Sequence, residues 1–139
     1  MTSLSFIRTV TELQVSLLTK KNLIYCKNTK VSSKICSFLL QHGLIHKYTI
    51  TSNLKYELWL KSFQNIKILK SFSLVSKPSA KKYYSIYKIK TLLWKNKNYI
   101  YLISTSYIVQ NNFTNIWLTQ QQAIQYNVGG EVLLKIELA

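Results

Sequence analysis

Between residues 4 and 19 apolar side chains recur at Phe6, Ile7, Val10, Leu13, Leu17 and Leu18, among others. That spacing, close to i, i+3, i+4, i+7, gathers them on one face of a 3.6-residue turn and predicts a first amphipathic helix. Residues 22–26 form a short apolar run suited to a strand, stopped by Lys27 and the turn-forming Asn28-Thr29. Thr29 or Asn28 can then cap a second helix, in which Val31, Ile35, Phe38 and Leu39 recur at helical spacing until Gly43 stops it. Residues 44–51 and 55–61 read as a hairpin around Ser52-Asn53-Leu54. Its second strand sets Tyr56, Leu58 and Leu60 on one face against Lys55, Glu57 and Lys61 on the other.

Residues 66–75 read as a further strand, and Pro78 marks a break where extended or turn backbone is favoured. A module boundary is expected just before it, giving modules 1–70 and 71–139. Beyond it, residues 84–90 alternate Tyr84, Ile86, Lys88 and Lys90 against Ser85, Tyr87 and Ile89, and residues 98–104 are rich in Tyr, Ile and Leu. Both are expected to be strands. Thr119 can cap a short helix over residues 120–125, ended by a turn at residues 127–130 before a closing strand at 132–138. The expected order is α-β-α-β-β in the first module and mainly β with one short helix in the second.

Charge narrows the partner. The 139 residues hold nineteen Lys and Arg against four acids, a formal charge of +15, and no acid stands between Glu57 and Glu131. Such an excess goes beyond what a small domain needs for solubility and points to a polyanion. Lysines interrupt every apolar run before the ~18 residues of a spanning helix, so no membrane partner is expected. Cys26 and Cys36 lack the paired spacing of a zinc site and read as buried thiols. His42 and His46 lie four apart, but Gly43 between them ends the helix that would align them. Ser104, Ser106, the two histidines, the two cysteines and the four glutamates compose no catalytic set, with no nucleophile elbow and no glycine-rich phosphate loop. No enzyme, metal, cofactor or small-molecule substrate is expected.

The chemistry that remains is that of binding. Ser104-Thr105-Ser106, expected on a loop at a strand end, offers compact hydroxyl donors and acceptors, and Gly129-Gly130 permits positive φ and close backbone approach. Lys77, Lys81, Lys82, Lys88 and Lys90 interleave with Tyr83, Tyr84 and Tyr87, which joins phosphate neutralisation to rings able to stack on bases. The plainer alternatives are a polar strand end, a hairpin turn and a solvated face over core aromatics.

These residues resemble a family. Residues 75–83, Val-Ser-Lys-Pro-Ser-Ala-Lys-Lys-Tyr, are similar to the Ser-Arg-Pro-Gly-x-Arg-x-Tyr segment of small-subunit ribosomal protein eight. Ser104-Thr105-Ser106 resembles its Ser-Thr-Ser loop, and residues 129–133, Gly-Gly-Glu-Val-Leu, its Gly-Gly-Glu ending. Asn28-Thr29-Lys30 stands where the family has Ser-Ser-Lys, and residues 39–45 look like its Leu-Lys-x-x-Gly-Phe-Ile helix end. Lys77, Ser79 and Lys81 replace the usual Arg, Gly and Arg, turning bidentate contacts into point-charge contacts. After Ser106 an insertion of about eight residues enlarges what is expected to be a surface loop.

The resemblance implies a two-module α+β structural constituent of the small ribosomal subunit, with 71–139 as the RNA-binding module. It implies binding to a central-domain stem of small-subunit rRNA, support of subunit assembly and translation, and contacts with neighbouring small-subunit ribosomal proteins. Ser104, Thr105 and Ser106 would meet sugar and base edges in the shallow minor groove. Lys77, Lys81 and Lys82 would hold phosphates and Tyr83 would pack on backbone or base. Gly129 and Gly130 would admit the RNA, Glu131 would anchor the loop, and Thr29 and Lys30 would add a weaker contact. The rival expectation is a basic interaction protein that docks a protein partner without specific RNA readout. Heavy use of Lys, Asn, Ile and Tyr, only three Gly and one Pro, and the lack of a presequence lead to the expectation of a mitochondrial ribosome. A bacterial or plastid ribosome is the competing home.

Overall fold

The computed structural model describes residues 4–19, 22–51, 54–64, 66–95, 98–109 and 112–139, with the backbone alone for 106–109 and 112–116. The chain divides into two compact units, the first Ser3–Phe72 with Leu138–Ala139 and the second Ser73–Glu137.

In the first unit, α1 (Leu4–Leu17) turns Phe6, Val10 and Leu13 inward, as its spacing demands. The order continues with β1 (Leu23–Lys27), α2 (Lys30–Gln41), β2 (Ile45–Ile50) and β3 (Lys55–Leu60). The three strands make an antiparallel sheet in the order β1-β3-β2. Alternation decides which face of β3 is dry: Tyr56, Leu58 and Leu60 are buried, and the residues between them are not. Thr29 caps α2, its Oγ1 accepting the Ser32 N–H at 3.1 Å. The helix ends where Gly43 N–H donates to Leu40 O and Leu44 N–H to Leu39 O, with Gly43 at φ +71°. That 5→2 and 6→1 pair needs a left-handed residue, which glycine supplies without steric cost. Cys26 and Cys36 are buried free thiols. Ser52 and Asn53, at the expected hairpin tip, lie outside the described residues.

The single strand expected at 66–75 is broken. β4 (Ser62–Phe63) and β5 (Ile66–Lys67) pair with each other, Gln64 taking φ +51° at the turn, and β6 (Leu69–Leu74) starts afresh.

The second unit holds β7 (Tyr83–Tyr84), α3 (Ile86–Lys95), β8 (Tyr99–Val109), β9 (Asn112–Leu118), α4 (Gln120–Gln125) and β10 (Gly130–Leu138). The sheet runs β6-β10-β8-β9, with β7 also on β10. Ile89, Tyr101, Ile103, Ala123 and Val132 form its core. Val132, Leu133 and Leu134 are buried in succession, and the register shifts between Val132 and Leu134 as at a bulge.

Two expectations are corrected here. The strand at 84–90 is a helix from Ile86 onward. Ile86, Ile89, Leu92 and Leu93 lie three or four apart and turn inward, while Tyr87, Lys88, Lys90, Thr91, Trp94 and Lys95 are exposed. Nor is the hydroxyl triplet in a loop: β8 continues through it to Val109 and pairs with β9 from Ile103↔Leu118 to Val109↔Asn112. The insertion therefore lengthens a hairpin, whose Gln110 and Asn111 lie outside the described residues. Thr119 caps α4 as expected, in a full capping box with Gln122. Its end repeats the geometry of α2, with Asn127 at φ +56° in the place of glycine. Gly129 and Gly130 do not take positive φ.

Candidate nucleic-acid interface

The turn after β6 is closed twice. Lys77 N–H donates to Ala80 O at 3.2 Å and Ala80 N–H returns to Lys77 O at 3.0 Å, and Pro78 between them fixes its own φ. Ser76, fully buried, accepts the Lys82 N–H on its Oγ at 3.1 Å. Lys82 O in turn accepts the Val132 N–H at 2.9 Å, and Val75 N–H donates to Leu133 O at 3.1 Å. Both ends of the turn are thus tied to β10. What projects from it is Lys77, Lys81, Lys82 and Tyr83, all exposed, Tyr83 by 67%.

β10 then links this turn to the hydroxyl triplet. Glu131 lies opposite Tyr83 on one side and opposite Ser104 on the other, so three motifs far apart in the sequence stand in one row across the sheet. Adjacent strands are ~4.8 Å apart, which places Tyr83 and Ser104 about 10 Å from each other along that row. The glycines permit this closeness. A Cβ on Gly129 would stand 2.6 Å from Tyr84 O, and one on Gly130 would run into Ser104 O. Both demands come from within the protein. Glu131 is itself buried between its neighbours.

The expected site residues divide by exposure. The three lysines and Tyr83 are open to solvent, whereas Ser104 and Thr105 are 9% and 7% exposed within β8, held between β10 and β9. The backbone of Ser106 pairs with Asn115, and its side chain lies outside the described residues. Thr29 and Lys30 belong to the first unit. There the Thr29 hydroxyl is engaged as the cap of α2 and Lys30 is exposed. Two organising residues escaped the sequence reading. Ser76 stood in a motif but had no role until its burial showed it fastening the turn. Gln120, also buried, accepts the Tyr101 N–H at 2.9 Å and donates to Tyr99 O at 2.7 Å, standing in for a strand where β9 stops. A glutamine beside a cap in a polar run carries no periodic signal that would have revealed it.

The electrostatics are one-sided. Lys77, Lys81, Lys82, Lys88, Lys90 and Lys95 are exposed on the second unit, whose two acids both lie on β10, Glu131 buried and Glu137 half-buried. No cluster of His, Cys, Asp or Glu able to hold a metal is present among the described residues, and none of their helices is long and apolar enough to cross a membrane. Fold and site together define a basic α+β protein of two units, with a lysine turn fastened to a sheet.

The family described as Ribosomal protein S8 matches residues 8–136. The chain is 25% identical over 113 residues to the small ribosomal subunit protein uS8m of Acanthamoeba castellanii, covering 81% of this chain and 83% of that protein. The chain belongs to the ribosomal protein S8 family. It is a structural protein of the small ribosomal subunit and not an enzyme.

Proposed function

We propose that the chain binds a stem of small-subunit rRNA through the turn at 76–83, in the mitochondrial ribosome, and so supports folding of the central domain during assembly. The observation that carries this reading is the pinned turn. Three lysines and a tyrosine are presented without an acid, on a base already ordered by Ser76 and β10. Pre-ordering spares the entropy of fixing the loop when RNA arrives. Lys77, Lys81 and Lys82 neutralise phosphates, and Tyr83 packs against the backbone or an open base.

Ser104, Thr105 and Ser106 are assigned the sugar and base edges beside this turn. The small exposure of Ser104 and Thr105 restricts them to edge-on contact through a hydroxyl. Gly129 and Gly130 act by letting β10 carry turn and triplet side by side, with Glu131 anchoring the row. Thr29 and Lys30 supply a weaker contact from the first unit, Lys30 through its charge. The mitochondrial home is supported by the name of the Acanthamoeba relative and by the Lys, Asn, Ile and Tyr bias. The chain is further proposed to be encoded and translated inside the organelle, and radiolabelling with cytosolic ribosomes blocked tests that: loss of the labelled chain under the block would exclude synthesis there.

The RNA reading is tested by changing Lys77, Lys81 and Lys82 to Gln and measuring affinity for a cognate stem across a salt series. If each lysine meets one phosphate, the log–log slope falls by about two to three. An unchanged slope would make the turn a solvated face.

A second reading has one observation in its favour. In the first unit a groove between α1 and β1 is lined by Val15, Tyr25 and Leu54, exposed apolar side chains, beside Glu12, whose Oε2 accepts the Lys27 N–H at 2.8 Å. Such a surface suits a neighbouring ribosomal protein, and an association seated there would change little with salt.

A further inference from the structure

We infer that the outer face of α3 is a second RNA contact, one that takes unpaired bases, distinct from the turn at 76–83 and resting on the RNA-binding reading of the second unit. Tyr87 and Trp94 are 76% and 81% exposed on this helix. They lie seven residues apart, two turns, so they share one stripe about 10.5 Å from end to end. Lys90 flanks the stripe on one side, Lys88 and Lys95 on the other, all three exposed. The inward side carries the buried Ile89 and the half-buried Ile86, Leu92 and Leu93.

Two large rings left in water are a surface without its complement, since neither packs into the core it borders. The chemistry around them names the complement. Lysines line both sides, no acid stands on the helix, and the chain has none between Glu57 and Glu131, so the partner is an anion. Tyr and Trp faces bordered by cations match bases attached to phosphates. Geometry then chooses the form of RNA. A duplex hides its base faces, and stacked bases rise by only ~3.4 Å. Rings ~10.5 Å apart take two bases that are not stacked on each other, as in a loop, a bulge or a single strand. Lys90 Nζ, 5.9 Å from the Tyr87 ring centroid, and Lys88 Nζ, 4.1 Å from the Tyr84 ring, are already poised above aromatic faces where a phosphate could draw them off.

The test uses the full chain and two probes, a single-stranded oligouridylate and a blunt RNA duplex. Changing Tyr87 and Trp94 together to Ala removes exposed groups and leaves Ile86, Ile89 and the core untouched, and circular dichroism of the variant checks the fold. Affinity for the single strand is expected to fall about tenfold or more, since each lost stack is worth several-fold to a hundredfold. Affinity for the duplex should stay within about a factor of two. Changing Lys77, Lys81 and Lys82 to Gln should instead weaken duplex binding while the remaining single-strand affinity still depends on Tyr87 and Trp94. Equal losses on both probes, or none, would overturn the α3 contact while leaving the turn intact. If the unaltered chain bound neither RNA, the proposed function would fall and this contact with it. Binding of a small-subunit protein to α3 with no single-strand dependence would also overturn it.

Discussion

Two parts of the second unit carry the family resemblance in the sequence, yet one is open to solvent and the other is buried. The turn at 76–83 is outside, its lysines and Tyr83 in water and only Ser76 buried. The pair Ser104 and Glu131 is inside, and the atoms that crowd the adjoining Gly129 and Gly130 most are backbone oxygens of β7 and β8. The difference teaches that one motif can be a surface and another the scaffold that holds it. A glycine kept for a ligand and a glycine kept for a neighbouring strand look alike in a sequence. Substitutions in the two stretches should therefore separate binding from stability.

The largest effect is expected at Gly130. A methyl there collides with Ser104 O, which is backbone and cannot move aside, so Gly130→Ala should cost about 3 kcal/mol or more, the upper end for overpacking. Urea unfolding measures it. If the midpoint holds and only RNA affinity falls, the row belongs to the surface and the comparison collapses. Next comes Gln120→Ala, which takes a partner from the buried Tyr101 N–H and another from the half-buried Tyr99 carbonyl of β8. A cost of about 2 kcal/mol in the same unfolding experiment is expected.

Ser76→Ala sharpens the boundary, because Ser76 is interior in position but serves the exterior turn. Losing its bond to the Lys82 N–H should cost about 1 kcal/mol of stability. It should also speed hydrogen exchange at Lys82 more than at Val132; equal acceleration at both amides would mean that the sheet, not the turn, was loosened. The smallest effect on folding is expected for Lys77→Gln, within ~0.5 kcal/mol, with the salt slope of RNA binding falling by about one. A stability loss above ~0.5 kcal/mol with an unchanged slope would make Lys77 part of the scaffold.

Much of this was legible where the cause is local. Thr29 and Thr119 read as caps because a hydroxyl three residues before an unmet N–H acts within one turn, and both serve so. The second strand of the hairpin, β3, was legible because half-burial imposes alternation. α3 was not. Over residues 84–90 the apolar positions fit a period of two as well as 3.6, and Leu92 and Leu93, which decide for the helix, fall beyond that window. The end of β8 and the whole of β9 were missed for another reason: residues 107–113 were weighed as an insertion into a loop, although Tyr107-Ile108-Val109, which continue β8, have the β-branched and aromatic character of a strand. The burial of Ser104 and Thr105 follows from that pairing, which joins residues that no periodicity within one element can reveal. Of the candidate site, the lysines and Tyr83 were legible as a group because they are contiguous. Their attachment through Ser76 was not, since a buried serine looks like any other.

The position of β10 has a consequence for the order in which the chain becomes competent. β7 and β8 both pair with β10, yet both are synthesised before it. While they emerge from the ribosome that makes them, the hairpin of β8 and β9 can close by itself, being local. The lysine turn can close its own Lys77–Ala80 and Ser76–Lys82 bonds, but its tie to the sheet must wait, because Lys82 O needs the Val132 N–H and Tyr83 needs Glu131. Only when the last strand slots between its elders are the lysines held in one arrangement. A nascent chain therefore carries its charge long before it carries its grip, and rigid engagement of the turn is deferred until translation of β10 is complete.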